Sequence, residues 1–359
     1  MKKLSIRNIL VPIDFSKMSI QAIDTAKRLA RRFGATVHLA HVHGLDYPAA
    51  FTAPMPPFQS FSVVDYQQQM EQNVARRLSD LAKEYGLASA NCHVQTGAPA
   101  FDEICGLAQE ISADLIVTPT HGRTGLKHVF LGSTAERIVQ HSPCPVFVAR
   151  QTGRRSKSGS APRTNTILVP VDFSDCSRKG LQYAIGFANE FGAKVILLHA
   201  TYLGYVYSSE GTAIYDVGAL REAARNKAER QMRELVRAVK FARVKFETVL
   251  TSGSPVLDIC VFAQDHDVDL IITSTHGQTG WKHMLMGSTA EHVVRHASCS
   301  VLVVPSHPEI RAAKSMRRCE RSHKTKRPIA NKKAQRTLVE RDKLTRKYRK
   351  LASHPFREG

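Results

Sequence analysis

The chain has 359 residues, 43% of them hydrophobic, with 51 Lys and Arg against 31 Asp and Glu and a formal charge of +20. That length predicts two domains, each able to bury a core. No uncharged apolar run approaches the ~18 residues of a membrane-spanning helix, and Asp14 and Lys17 interrupt the apolar stretch behind the basic N-terminus, which argues against a secretory leader.

The first predicted element is a short continuous apolar run at 9–12, the pattern of a strand buried on both faces. Ser16 is placed to cap a helix with Ile20, Ile23, Leu29 and Phe33 on its apolar side, closed by Gly34. A strand at 36–42 follows, then a loop holding Pro48, Pro54, Pro56 and Pro57. A helix is expected at 63–85, a strand at 92–96, and a helix opening with Pro99 in its first turn. A strand at 114–118, a glycine-containing loop, a helix at 132–141 and a strand at 145–149 complete the series. Residues 151–163, rich in Gly, Ser, Arg and Lys, read as a linker.

From residue 164 the same order returns. Residues 9–16, ILVPIDFS, recur at 167–174 as ILVPVDFS; Gly97-Ala98-Pro99 recurs as Gly253-Ser254-Pro255. Thr120-His121-Gly122 and the GSTAE run at 132–136 recur at 275–277 and 287–291, and the last strand falls at 301–304. A whole domain is therefore duplicated, as 1–150 and 164–306. Strands alternating with helices predict an α/β fold: two tandem Rossmann-like domains, each a five-stranded parallel sheet flanked by helices. Ligands of such sheets bind beyond the carboxyl ends of the strands, where the strand order reverses. The apolar last strands, 145–149 and 301–304, need cover at their edges and are expected to pair with each other, giving an intramolecular pseudo-dimer; two chains pairing further would make a homodimer.

The motif of interest follows strand four. Copy one reads Thr118-Pro119-Thr120-His121-Gly122-Arg123 and reaches Gly132-Ser133-Thr134; copy two reads Thr273-Ser274-Thr275-His276-Gly277 and reaches Gly287-Ser288-Thr289. Glycine backbone, hydroxyl donors and the positive end of a helix dipole make an anion site. Neither a Walker A loop nor a G-x-G-x-x-G is present.

Taken together, the paired strands, loops and helix starts resemble a tandem universal stress protein, whose domains are adenine nucleotide α-hydrolase-like. The resemblance implies ATP, with Mg2+ as companion ion, the phosphates on Thr118, Gly122, Arg123, Gly132, Ser133 and Thr134 in copy one and on Thr273, Gly277, Gly287, Ser288 and Thr289 in copy two. It places the adenosine near Pro12, Asp14 and Val42, and near Pro170, Asp172 and Ala200. The first motif glycine is replaced by Pro119 and by Ser274. Proline removes an N–H and serine keeps it, so copy two is expected to be the better nucleotide site. A stress-response role through partners follows, with hydrolysis slow at most. Two alternatives stay open: a module that binds no nucleotide and acts through its basic arm, and an adenylyl-transferring enzyme.

Several residues have plainer readings. His41, His43, His121 and His276 are expected to make structural or loop hydrogen bonds, and no metal site is expected. The seven cysteines form no C-x-x-C and predict reduced thiols in a cytoplasmic protein. By region the charge is +3 over 1–150, +4 over 151–163, zero over 164–306 and +13 over 307–359. The excess thus lies outside the two domains, and the last segment, disordered or partly helical, is the expected site for nucleic acid, ribosomes or another polyanion.

Overall fold

The computed structural model describes residues 4–44, 63–120, 131–150, 164–201, 217–239, 243–277 and 286–306. The described residues all belong to one compact unit. The linker at 151–163 and the basic segment from 307 lie outside the described residues, as do His121, Gly122 and Arg123.

The first half runs β1 (Asn8–Pro12), α1 (Lys17–Phe33), β2 (Thr36–His43), α2 (Val63–Glu84), β3 (Asn91–Thr96), α3 (Ala100–Glu110), β4 (Leu115–Pro119), α4 (Ser133–His141) and β5 (Val146–Ala149). The second repeats it as β6 (Thr166–Pro170), α5 (Asp175–Phe191), β7 (Lys194–Ala200), α6 (Val217–Ala238), β8 (Phe246–Thr251), α7 (Pro255–Asp265), β9 (Leu270–Ser274), α8 (Ser288–His296) and β10 (Ser300–Val304).

All ten strands form one sheet, ordered β3-β2-β1-β4-β5-β10-β9-β6-β7-β8. Within each half the five strands are parallel. The halves join where β5 meets β10 antiparallel, with Val148 opposite Val301 and Phe147 opposite Leu302. This is the edge pairing expected from the two apolar last strands; it covers β5 and β10 and leaves β3 and β8 as the outer strands. Ile9 and Val11 join the core on one face of the sheet, Leu10 the core on the other, so β1 is apolar throughout because both its faces are covered.

Local chemistry explains the helix ends. The Ser16 hydroxyl accepts from the Ser19 amide at 3.2 Å, and Ser174 accepts from Ser177 at the same distance. Gly34 and Gly192 close α1 and α5, each at φ 70°, a left-handed conformation that suits glycine. Several expected bounds shift by a residue. Pro99 is the N-cap of α3, which begins at Ala100, whereas Pro255 does sit in the first turn of α7. Asp114 precedes β4: its carboxylate accepts from the Arg7 and Asn8 amides at 2.7 and 3.0 Å, tying down the start of β1. Asp269 does the same for Asn165 and Thr166 at 2.8 and 3.0 Å.

Side chains also lock the halves together. Phe33 on α1 meets Phe187 on α5 edge-on at 5.3 Å between ring centres. Leu4 lies against Gly186, where a Cβ would come within 2.5 Å of the leucine. On the other face Arg295 of α8 bridges Glu136 of α4 at 3.0 Å and Glu291 of its own helix at 2.9 Å. Arg150, just past β5, donates to the carbonyls of Val294 (2.9 Å) and Arg295 at the end of α8. Among the described residues no helix is long and apolar enough to cross a membrane.

Candidate functional site

The strand order reverses between β1 and β4 in the first half and between β6 and β9 in the second, and a cavity opens beyond the carboxyl ends of each pair. The first, about 280 Å³, is lined by Pro12, Asp14, Val42, Thr118, Gly132, Ser133 and Thr134 among others. The second, about 550 Å³, is lined by Pro170, Asp172, Ala200, Thr273, Gly277, Gly287, Ser288 and Thr289. Every described candidate therefore gathers on the cavity of its own copy.

The loops that position these groups are built alike. The Asp14 carboxylate accepts from the Ser16 amide at 2.9 Å. Asp172 accepts from the Ser174 amide at 3.0 Å and its hydroxyl at 2.6 Å. Each aspartate thus orders the turn into α1 or α5 while also lining the cavity. Between aspartate and serine stand Phe15 and Phe173, at φ 60° and 66°. That left-handed conformation costs a bulky residue about 1 kcal/mol or more, and it recurs in both copies beside the cavity.

On the opposite wall Gly132 donates to the Thr120 carbonyl at 2.8 Å and Gly287 to the Thr275 carbonyl at 2.7 Å. Both glycines are N-caps without a side chain, so the first amides of α4 and α8 are left for a ligand or solvent. The backbone amides of Glu136 and Glu291 donate back to those glycines' carbonyls, which fixes the helix start. In the second copy the strand end is further braced: Thr275 Oγ1 and Ser306 Oγ each meet His276 Nδ1, at 2.9 and 3.0 Å, and each other at 2.9 Å. His276 accordingly makes loop hydrogen bonds.

The strand-two histidines are structural. His41 Nδ1–H donates to the Ile13 carbonyl at 2.6 Å and His199 Nδ1–H to Val171 at 2.7 Å. His43 Nε2 meets the Thr96 hydroxyl at 2.9 Å. Among the described residues no group of three or more His, Cys, Asp or Glu is placed to hold a metal ion. The six described cysteines are free. Burial pushes the Cys144 and Cys299 thiols up to about 12.

Among the second cavity's lining residues that sequence reasoning did not name as ligands are Phe173, His199, Lys227 and Gln231. The first two belong to repeated motifs and sit beside candidates already named; the last two come from α6, whose polar positions carry no motif.

The comparisons with known proteins agree with this architecture. The universal stress protein family model matches residues 5–150 and again 163–305. A universal stress protein of Methanocaldococcus jannaschii is 30% identical over 138 residues, 38% of this chain and 80% of that protein. One of Mycolicibacterium smegmatis is 24% identical over 306 residues, 82% of this chain and 96% of its own length, so it too spans both copies. The crystal structure of a universal stress protein from Archaeoglobus fulgidus matches the fold with a TM-score of 0.55 at 19% identity, covering 84% of this chain and 97% of that one. With both copies matched, the chain belongs to the universal stress protein family.

Proposed function

We propose that this protein binds an adenine nucleotide in its second half and acts in the stress response through partners rather than by turnover. The observation that carries the reading is the convergence of all eight second-copy candidates on one cavity of about 550 Å³. That volume falls within the range of small-ligand sites. One wall, with Gly277, Gly287, Ser288 and Thr289, offers backbone amides and hydroxyls to phosphate. The other, with Pro170, Leu198 and Ala200, offers apolar surface to a nucleoside. The exposed cation Lys227 also borders the cavity. Mg2+ takes most of its ligands from phosphate and water, and Asp172 is the carboxylate on this wall that would complete its shell.

The first cavity has the same plan with Pro119 at the strand end, and Pro119 brings no amide donor. We therefore assign nucleotide to copy two. The +13 of residues 307–359 supports a separate polyanion-binding role for that segment, in a cytoplasmic protein with reduced thiols. Calorimetric titration with ATP tests the nucleotide assignment: one equivalent bound, abolished by Gly287→Val.

A further inference from the structure

Beside the cavities the two copies differ in a contact that no motif records, and Phe15 and His41 do not line the first cavity. In the first copy the guanidinium of Arg77, on α2, lies over the ring of Phe15 with Cζ 4.0 Å from its centre. Phe15 in turn sits 4.9 Å from His41. In the second copy the same aromatic pair recurs, Phe173 and His199 at 4.5 Å, and both rings line the cavity. The burial patterns of the two helices superpose Leu78 on Met232 and Leu81 on Leu235. In that register Arg77 corresponds to Gln231, which also lines the second cavity.

A guanidinium is flat, charged and delocalised, and it stacks on an aromatic face much as a nucleobase does. We infer that Arg77 and Gln231 decide which copy accepts a base: Arg77 covers the Phe15 face in copy one, while Gln231 leaves the Phe173–His199 wall open in copy two. The inference rests on reading the second cavity as a nucleotide site. It adds a selection device independent of the phosphate loop. Aromatic rings provide the stacking surface that bases use. The Gln231 amide, with one acceptor and two donors, suits the edge of adenine, which offers both a donor and an acceptor. His199 is held in place because its Nδ1–H is committed to the Val171 carbonyl.

The test uses the full-length protein and ATP, with binding and stoichiometry read by calorimetry. Gln231→Arg is expected to weaken binding at least tenfold by covering the Phe173 face. Pro119→Ser alone should leave the stoichiometry at one, Arg77→Gln in that background should raise it to two, and the second equivalent should disappear when Gly132→Val is added. Both positions lie on helices and both residues favour helix, so the fold should hold; unchanged thermal unfolding checks this. Wild-type affinity in Gln231→Arg, or a stoichiometry still at one in Arg77→Gln combined with Pro119→Ser, overturns the inference. If wild-type protein binds one equivalent that Gly287→Val removes, the nucleotide reading stands even then. Wild-type protein that binds no ATP overturns both.

Discussion

Asp172 and Gly277 meet across the mouth of the second cavity: a Cβ on Gly277 would stand 2.6 Å from Asp172 Oδ2. The turn into α5 and the glycine loop after β9 are thus in contact through a carboxylate and a hydrogen atom, and a larger residue at 277 cannot enter without moving the aspartate.

Gly277→Ala is accordingly expected to push Asp172 off the Ser174 amide and hydroxyl. Losing these hydrogen bonds to a charged group costs about 2 kcal/mol of stability. Nucleotide affinity should fall further than that, since both groups line the cavity. Thermal unfolding and ATP titration of the same variant separate the two effects.

The join between the halves makes a second prediction. Val148 and Val301 face each other at the β5–β10 pairing and are fully buried. Val148→Asp places an unpaired carboxylate there and should cost about 4 kcal/mol, within the range for burying a polar group without a partner. Arg150→Ala, which removes the donor to the Val294 and Arg295 carbonyls, should cost about 2 kcal/mol. The bridge from Arg295 to Glu136 is partly exposed, and Arg295→Ala should cost under about 1 kcal/mol. Urea unfolding of the three variants checks the order.

Alkaline pH should weaken the fold through Cys144 and Cys299. Their thiols are held up at about 12 against an ordinary 9.0, with burial the main cause. A raised acid keeps its proton in the folded state, so this stabilisation is complete below pH 9 and is lost as pH rises from 9 towards 12. Urea midpoints should fall between pH 8 and 11, and less steeply in Cys144→Ala measured relative to its own value at pH 8.

On the acid side, His38 and His93 share a hydrogen bond, Nδ1 to Nε2 at 3.0 Å, with the rings stacked. Burial lowers both pKa values, and the neighbouring imidazole lowers that of His38 further. A lowered base favours the neutral form when folded, so its contribution is present above 6.5 and lost as pH falls below it. Proton NMR should show both histidines titrating below 6.5. A midpoint at or above 6.5 for His38 would contradict the arrangement.

Much of the fold was legible because its signals are local and repeated. The buried strand at 9–12, the Ser16 and Gly34 caps and the Gly287-Ser288 helix start each depend on a few adjacent residues, and the duplication states each of them twice. The candidate residues could be gathered because the βα order alone fixes where the carboxyl ends of the strands lie. What escaped notice depends on contacts between distant residues. Arg77 reaches Phe15 from a different helix, and nothing in the polar run of α2 marks it. The left-handed Phe15 and Phe173 violate a local preference and are held by the turns around them. Arg150 reads as the residue after a strand, yet it caps the helix of the other half.

The central claim is that this protein holds one adenine nucleotide, in its second half. The most direct measurement is calorimetric titration of ATP into wild-type protein and into the Gly132→Val and Gly287→Val variants. The account predicts one equivalent in wild type, retained in Gly132→Val and lost in Gly287→Val. Equal loss from each variant, or no binding by the wild-type protein, would contradict it.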